Sequence, residues 1–197
     1  MTTDTTTNGD RSVSDVKPAT TVLVDTDALI NLDEWEPEVA AKRLLHFYMH
    51  IAEAPERNPQ LLDALDLAVA DNCRIAYSSR WPELTSYLVK PWLEERGYPE
   101  AYVNWRRTAW ASPAELGALH AAAAARRGPV VIIHNDEAVA AEMRSRFGIA
   151  ALSPTQLPTT TDGLRRVFAL ARPVAKFELK PPKKAPKKAP AKQEEAA

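Results

Sequence analysis

Two short apolar runs, each stopped by carboxylates, constrain this chain more than anything else in it. Thr21-Val-Leu-Val ends in Asp25-Thr-Asp27, and Val130-Val-Ile-Ile133 ends in His134-Asn-Asp-Glu137. A short apolar run bounded by polar residues reads as a buried strand. Between and around these runs the apolar spacing changes to that of helices. Val39, Leu44, Leu45, Tyr48, Ile51 and Ala52 make one apolar face, Leu61, Leu62, Leu65, Ala68 and Val69 a second, and Leu84, Tyr87, Leu88, Trp92 and Leu93 a third. Pro37 suits the first turn of a helix, Asn58-Pro59 reads as an N-cap with proline after it, and Ser112-Pro-Ala-Glu115 opens an Ala-rich helix with a capping box. Gly97, Gly128 and Gly148 close helices, and Asp162 is placed to cap a last one. Arg74-Ile-Ala-Tyr-Ser78, Tyr102-Val-Asn-Trp105 and Ile149-Ala-Ala-Leu152 supply further strands. Strands alternating with helices predict an α/β fold, a doubly wound, Rossmann-like parallel sheet of about five strands.

The alternation occupies residues 20–172 and the flanks differ from it. Residues 1–19 are mostly Thr, Asp, Ser and Asn with almost no large apolar side chain to offset the entropy of ordering, so a disordered leader is expected. Residues 173–197 are Lys, Pro and Ala around KPPKKAPKKAPAK, with seven Lys against three Glu. Such a segment is expected to stay extended and disordered. The whole chain carries −1, so the basic character is confined to this tail. Its lysines suit non-specific contact with nucleic-acid phosphates, and its Lys-rich body has no aromatic ring on which a base would stack. A tail that merely aids solubility fits the composition equally. The single cysteine, Cys73, has no internal disulfide partner and reads as a buried thiol in a reducing compartment. No apolar run approaches a membrane span and no signal segment is present, which predicts a soluble, cytoplasmic protein with no membrane contact.

Ligands of open α/β sheets gather at the carboxyl ends of the strands. Asp25 and Asp27, two apart in an extended segment, point the same way. Two carboxylates that close need a cation or must share a proton. Either suits chemistry: a shared Mg²⁺, or a nucleophile beside a general acid. The plainer alternative is that one of them is a solvated loop residue or a helix cap. Ser78, Ser79 and Arg80 follow the second strand, and a hydroxyl with a guanidinium there can hold phosphate oxygens, although Ser79 equally suits a helix cap. Arg106 and Arg107 end the third strand. His46 and His50 have the four-residue spacing of paired metal ligands, but with no third ligand nearby they read as partly exposed helix residues.

This order of motifs resembles the haloacid dehalogenase (HAD) superfamily of phosphohydrolases, over about residues 21–172. The family's first motif, a strand ending in Asp-x-Asp, is matched by Asp25 and Asp27, its second, a Ser or Thr after a strand, by Ser78, and its fourth, one or two late acids, by Asp136 with Asn135 beside it. SSRWPELTSYLVKPWLEERGYPEAYVNWR is similar to the region after the second motif in capless members, including nucleic-acid-end phosphatases, and the nearest likeness is to small actinobacterial and phage HAD-like domains. The resemblance implies that Asp25 attacks phosphorus, Asp27 protonates the leaving oxygen and then activates water, and Ser78, with Ser79, Arg80 and Arg106, holds the substrate. It implies Mg²⁺ at Asp25, Asp136 and the carbonyl of Asp27, and a phosphorylated small molecule or nucleic-acid end as substrate. The family's third motif, a Lys or Arg expected around Leu116-Gly117, is absent, and Arg106, Arg107 and Lys90 are the candidates to replace it. Two other readings stay open. One is a non-catalytic binding protein on the same fold. The other is a metal-dependent PIN-domain ribonuclease, which VLVDTDALINL also resembles, with Glu83 and Asp136 as further acids and Gly117 where another acid is expected.

Overall fold

The computed structural model describes residues 19–179. The leader over residues 1–18 and the Lys-rich body from residue 180 onward lie outside the described residues. Five strands, β1 (Thr21–Asp25), β2 (Arg74–Pro82), β3 (Tyr102–Arg106), β4 (Val130–Ile133) and β5 (Ala150–Leu152), form one sheet in the order β3-β2-β1-β4-β5. All four pairings are parallel. Helices α1 (Pro37–Lys42), α2 (Leu44–Glu53), α3 (Gln60–Ala70), α4 (Ser86–Glu95), α5 (Pro113–Ala124), α6 (Glu137–Phe147) and α7 (Thr161–Phe168) cover both faces. The α/β, Rossmann-like, doubly wound architecture is the one the alternating pattern requires.

Burying β1 and β4 on both sides produces two cores. The larger joins Val22, Val24, Val131 and Ile133 to Phe47, Ile51, Leu61, Leu65, Trp81, Trp92 and Leu164. The smaller joins Leu23, Val130 and Ile132 to Ala114, Ala118 and Ala121 of α5 and to Ala140 and Met143 of α6. Small residues let α5 lie close to its neighbour: a Cβ built on Gly117 would come within 1.9 Å of the Met143 methyl. The chain steps from β1 to β2 to β3 in one direction, then returns to the other side of β1 for β4. The carboxyl ends of β1 and β4 therefore flank the reversal in strand order, the place where such sheets form a crevice.

Several boundaries differ from the sequence expectation. The helix after Pro37 breaks at Arg43 into α1 and α2, and the buried face of α2 is Phe47 and Ile51, while Val39, Leu45 and Tyr48 are exposed. Asn58 makes no cap bond to α3, whose N-cap position is Pro59, and its side-chain nitrogen donates to the Ala28 carbonyl at 2.7 Å. Thr160, not Asp162, caps α7 by accepting from the Gly163 amide. Leu84 and Tyr87 face solvent, and Val89 joins Leu88, Trp92 and Leu93 in the core. The first residues of the expected tail pack against the domain: beyond Arg172, which bridges to Val130, Val174 and Phe177 join the smaller core, and Phe177 meets Phe147 edge to face with centroids 5.0 Å apart. No helix among the described residues is long and apolar enough to cross a membrane.

Candidate active site

Asp25 is the last residue of β1, in register with Ser78 on β2, so sheet pairing alone sets a carboxylate beside a hydroxyl. The strand stops there. Asp25 Oδ1 accepts from the Asp27 amide at 3.2 Å and caps a 3-10 turn over Thr26–Ala28. Asp27 consequently reaches the site through that turn and not as the second residue of an extended pair. Both carboxylates line one cleft of about 440 Å³, together with Ser78, Arg80, Arg106 and Asp136.

Asp27 is nearly sealed from solvent. Its Oδ1 accepts from Trp81 Nε1 at 2.8 Å and its Oδ2 from the Arg80 guanidinium. Burial and the neighbouring Asp25 charge push its pKa up to about 6, against the opposing pull of Arg80 and Trp81. A carboxyl titrating there can both give and take a proton near neutral pH. Asp25 Oδ2 accepts from the Asn135 amide at 3.3 Å and faces His134 Nε2 at 3.5 Å. His134 Nδ1 accepts from the Asp136 amide at 3.0 Å, which turns its Nε2 toward Asp25.

Behind Ser78 stands His120, a residue of α5. Its Nδ1 lies 2.8 Å from Ser78 Oγ, and the ring also hydrogen-bonds the backbone of Trp105. Burial drops its pKa to about 4, so the ring is neutral at pH 7 and has one N–H. A backbone carbonyl can only accept, so the Trp105 contact takes that hydrogen and Nδ1 accepts from the Ser78 hydroxyl. Ser78 thereby turns its lone pairs to the cleft and its hydrogen away from it.

The other expected residues divide. Ser79 points to the opposite face of β2, fully buried, its Oγ accepting from Thr26 Oγ1 at 3.1 Å and from the Trp81 amide at 3.2 Å, and it lines no part of the cleft. It does not cap a helix either, because β2 continues to Pro82. Arg80 lines the cleft with its guanidinium engaged by Asp27, by the Trp35 carbonyl at 3.0 Å and by Glu36. Arg106 lines it too, donating to the carbonyls of Thr108 at 3.1 Å and Ala109 at 2.7 Å. Asp136 uses Oδ1 to cap α6, accepting from the Ala138 and Val139 amides. Leu116 and Gly117 both line the cleft, so the place where a third-motif cation would stand is apolar. Glu83, proposed as a nuclease acid, does not line it, and neither does His46 or His50, whose ring lies against Trp35.

Among the described residues no three side chains of His, Cys, Asp or Glu come together as a metal-binding group. The Asp27 carboxylate is committed to Trp81 and Arg80. Of the other carboxylates lining the cleft, Asp33 pairs with Arg57 and Glu36 with Arg80, which leaves the oxygens of Asp25 and Asp136 for a cation. One or two carboxylates, completed by water and substrate phosphate, is the donor set Mg²⁺ takes, so the residues suit that ion in kind. Sequence reasoning passed over His120 and His134. A signal for His120 existed: it lies one helical turn after Leu116, on the same face of α5. No protein family, characterised protein or solved structure matches this chain.

Proposed function

We propose that the chain is a HAD-type phosphohydrolase that uses Mg²⁺ to release phosphate from a phosphomonoester, with a nucleotide or a nucleic-acid end as the substrate class. The observation that carries this reading is the pairing of Asp25, beside Ser78, with a buried Asp27 titrating near pH 6 in the same cleft. The Asp25 carboxylate attacks phosphorus and forms an aspartyl phosphate as the ester P–O bond breaks, and the leaving oxygen takes the proton of Asp27. The deprotonated Asp27 then accepts a proton from water as that water attacks phosphorus, which frees inorganic phosphate and restores both carboxyl groups. Asp25 and Asp136 would hold Mg²⁺, whose charge would let one anion approach another. Ser78 serves a phosphoryl oxygen by turning its hydrogen from His120 to the cleft, at a cost of about 1 kcal/mol.

A non-catalytic binding protein is the second reading. It is favoured by the apolar Leu116-Gly117 edge and by the engagement of Arg80 with Asp27. The deciding experiment measures phosphate release from an aryl phosphate and from 3′- and 5′-phosphorylated oligonucleotides, with and without Mg²⁺. Wild type should release phosphate only with Mg²⁺. Asp25→Asn should lose at least about a thousandfold of that rate, since the covalent step has no other carboxylate in place, and should melt like wild type. No release from any substrate points to the binding protein, and cut oligonucleotide chains point to a nuclease.

A further inference from the structure

A second groove, of about 690 Å³, runs between the edge strand β3, helix α5 and the segment that follows α7. Its lining contrasts with that of the acidic cleft. Arg107, Arg126 and Lys176 supply positive charge, Tyr102, Trp105 and Phe177 supply aromatic rings, and no carboxylate lines it. Arg107 and Arg126 are exposed, and among the described residues neither has an ion-pair partner, whereas Lys176 pairs with Glu178. Tyr102 is 63% exposed on an edge strand, and its ring lines the groove beside these cations. Six further lysines follow Leu179 in the sequence.

We infer that this groove binds a strand of single-stranded nucleic acid, the arginines holding phosphates and Tyr102 stacking a base. Cations without acids select a polyanion, and an exposed ring beside them selects one that carries bases, the combination found where single strands are held without sequence preference. The two sites share a wall. His120 lines the groove and hydrogen-bonds Ser78 of the cleft, while the consecutive residues Arg106 and Arg107 line the cleft and the groove respectively. A strand in the groove therefore lies next to the reacting carboxylates. That last step rests on the proposed phosphohydrolase; binding itself does not.

The test is fluorescence anisotropy of a labelled oligo-dT with the full-length chain over a range of salt, since all variants then retain the Lys-rich tail. Arg107→Ala/Arg126→Ala should weaken binding at least tenfold at low salt and flatten the plot of log affinity against log salt by about 1.4, the slope of two single-strand phosphate contacts. Tyr102→Ala should weaken binding about tenfold with the slope unchanged. Asp25→Asn should bind as wild type does, so failure of the chemistry leaves the binding result intact. Unchanged affinity in the double arginine variant would overturn the inference and assign binding to the tail. Loss in that variant with no effect of Tyr102→Ala would also overturn it, leaving a site for polyanions in general.

Discussion

Asp27 and His120 are buried titratable groups shifted in opposite senses, and their pH effects oppose one another. The raised pKa of Asp27 gives stability that is full below the ordinary carboxylate value of 3.8 and is lost as pH rises through about 6. The depressed pKa of His120 gives stability that is full above its ordinary 6.5 and is lost as pH falls through about 4. Between those limits each masks the other in the wild type. His120→Gln isolates one of them: the advantage of wild type over this variant in urea unfolding should shrink by about 3 kcal/mol between pH 7 and pH 4. A constant difference would mean that His120 keeps an ordinary pKa when folded. Leu116 carries a second prediction. It is buried at the cleft wall where the resemblance expects a cation, so Leu116→Lys should raise phosphate release about tenfold. It should also cost about 2 kcal/mol in stability, because an ammonium replaces a packed side chain. An unchanged or lower rate would mean that the absent third-motif cation does not limit phosphate release.

At the scale of elements, helix ends and close approaches decide what the chain tolerates. Thr160 caps α7 through the Gly163 amide, and a Cβ on Gly163 would lie 2.4 Å from Pro158 Cβ and 2.9 Å from Thr160 Oγ1. Proline and a bonded cap have little room to yield, so Gly163→Ala should cost about 2 kcal/mol in denaturant unfolding. Gly117→Ala on α5 makes a shorter nominal contact, but with the mobile end of Met143, which can swing aside, so it should cost less than Gly163→Ala. The reverse order would mean that the α5–α6 contact is the more rigid of the two. The elements were legible where the local signal was complete: the Ser112 capping box and Gly148 in the left-handed conformation are as the sequence predicts. They were misread where distant partners compete. Asn58 gives its amide to Ala28 instead of capping its own helix, and β2 continues through Ser79 and Trp81 because both are buried in tertiary contacts.

For the whole molecule, the chain after α7 returns to the sheet at the amino end of β4. Arg172 and Val130 exchange two backbone hydrogen bonds, of 2.9 and 3.1 Å, and Val174 and Phe177 pack against the smaller core. A chain ending at Leu179 should therefore melt within about 1 °C of full length, and one ending at Ala171 about 5 °C lower, as loss of about 2 kcal/mol implies for a domain of this size. Equal melting of the two would show that the segment adds nothing to the fold. The sequence by itself determined the alternation of elements, the buried strands and the arrival of Asp25 and Asp136 after the carboxyl ends of β1 and β4, because apolar periodicity and capping residues are local and act within a few positions. Only the tertiary structure decided the partners of those residues. His120 meets Ser78 across 42 positions, Arg80 meets Asp27 across 53, and the Asn135 amide meets Asp25 across 110. Such contacts follow from strand order, register and the turn after β1, which no local spacing encodes, and they give two acids near one strand end different partners and raise the pKa of Asp27.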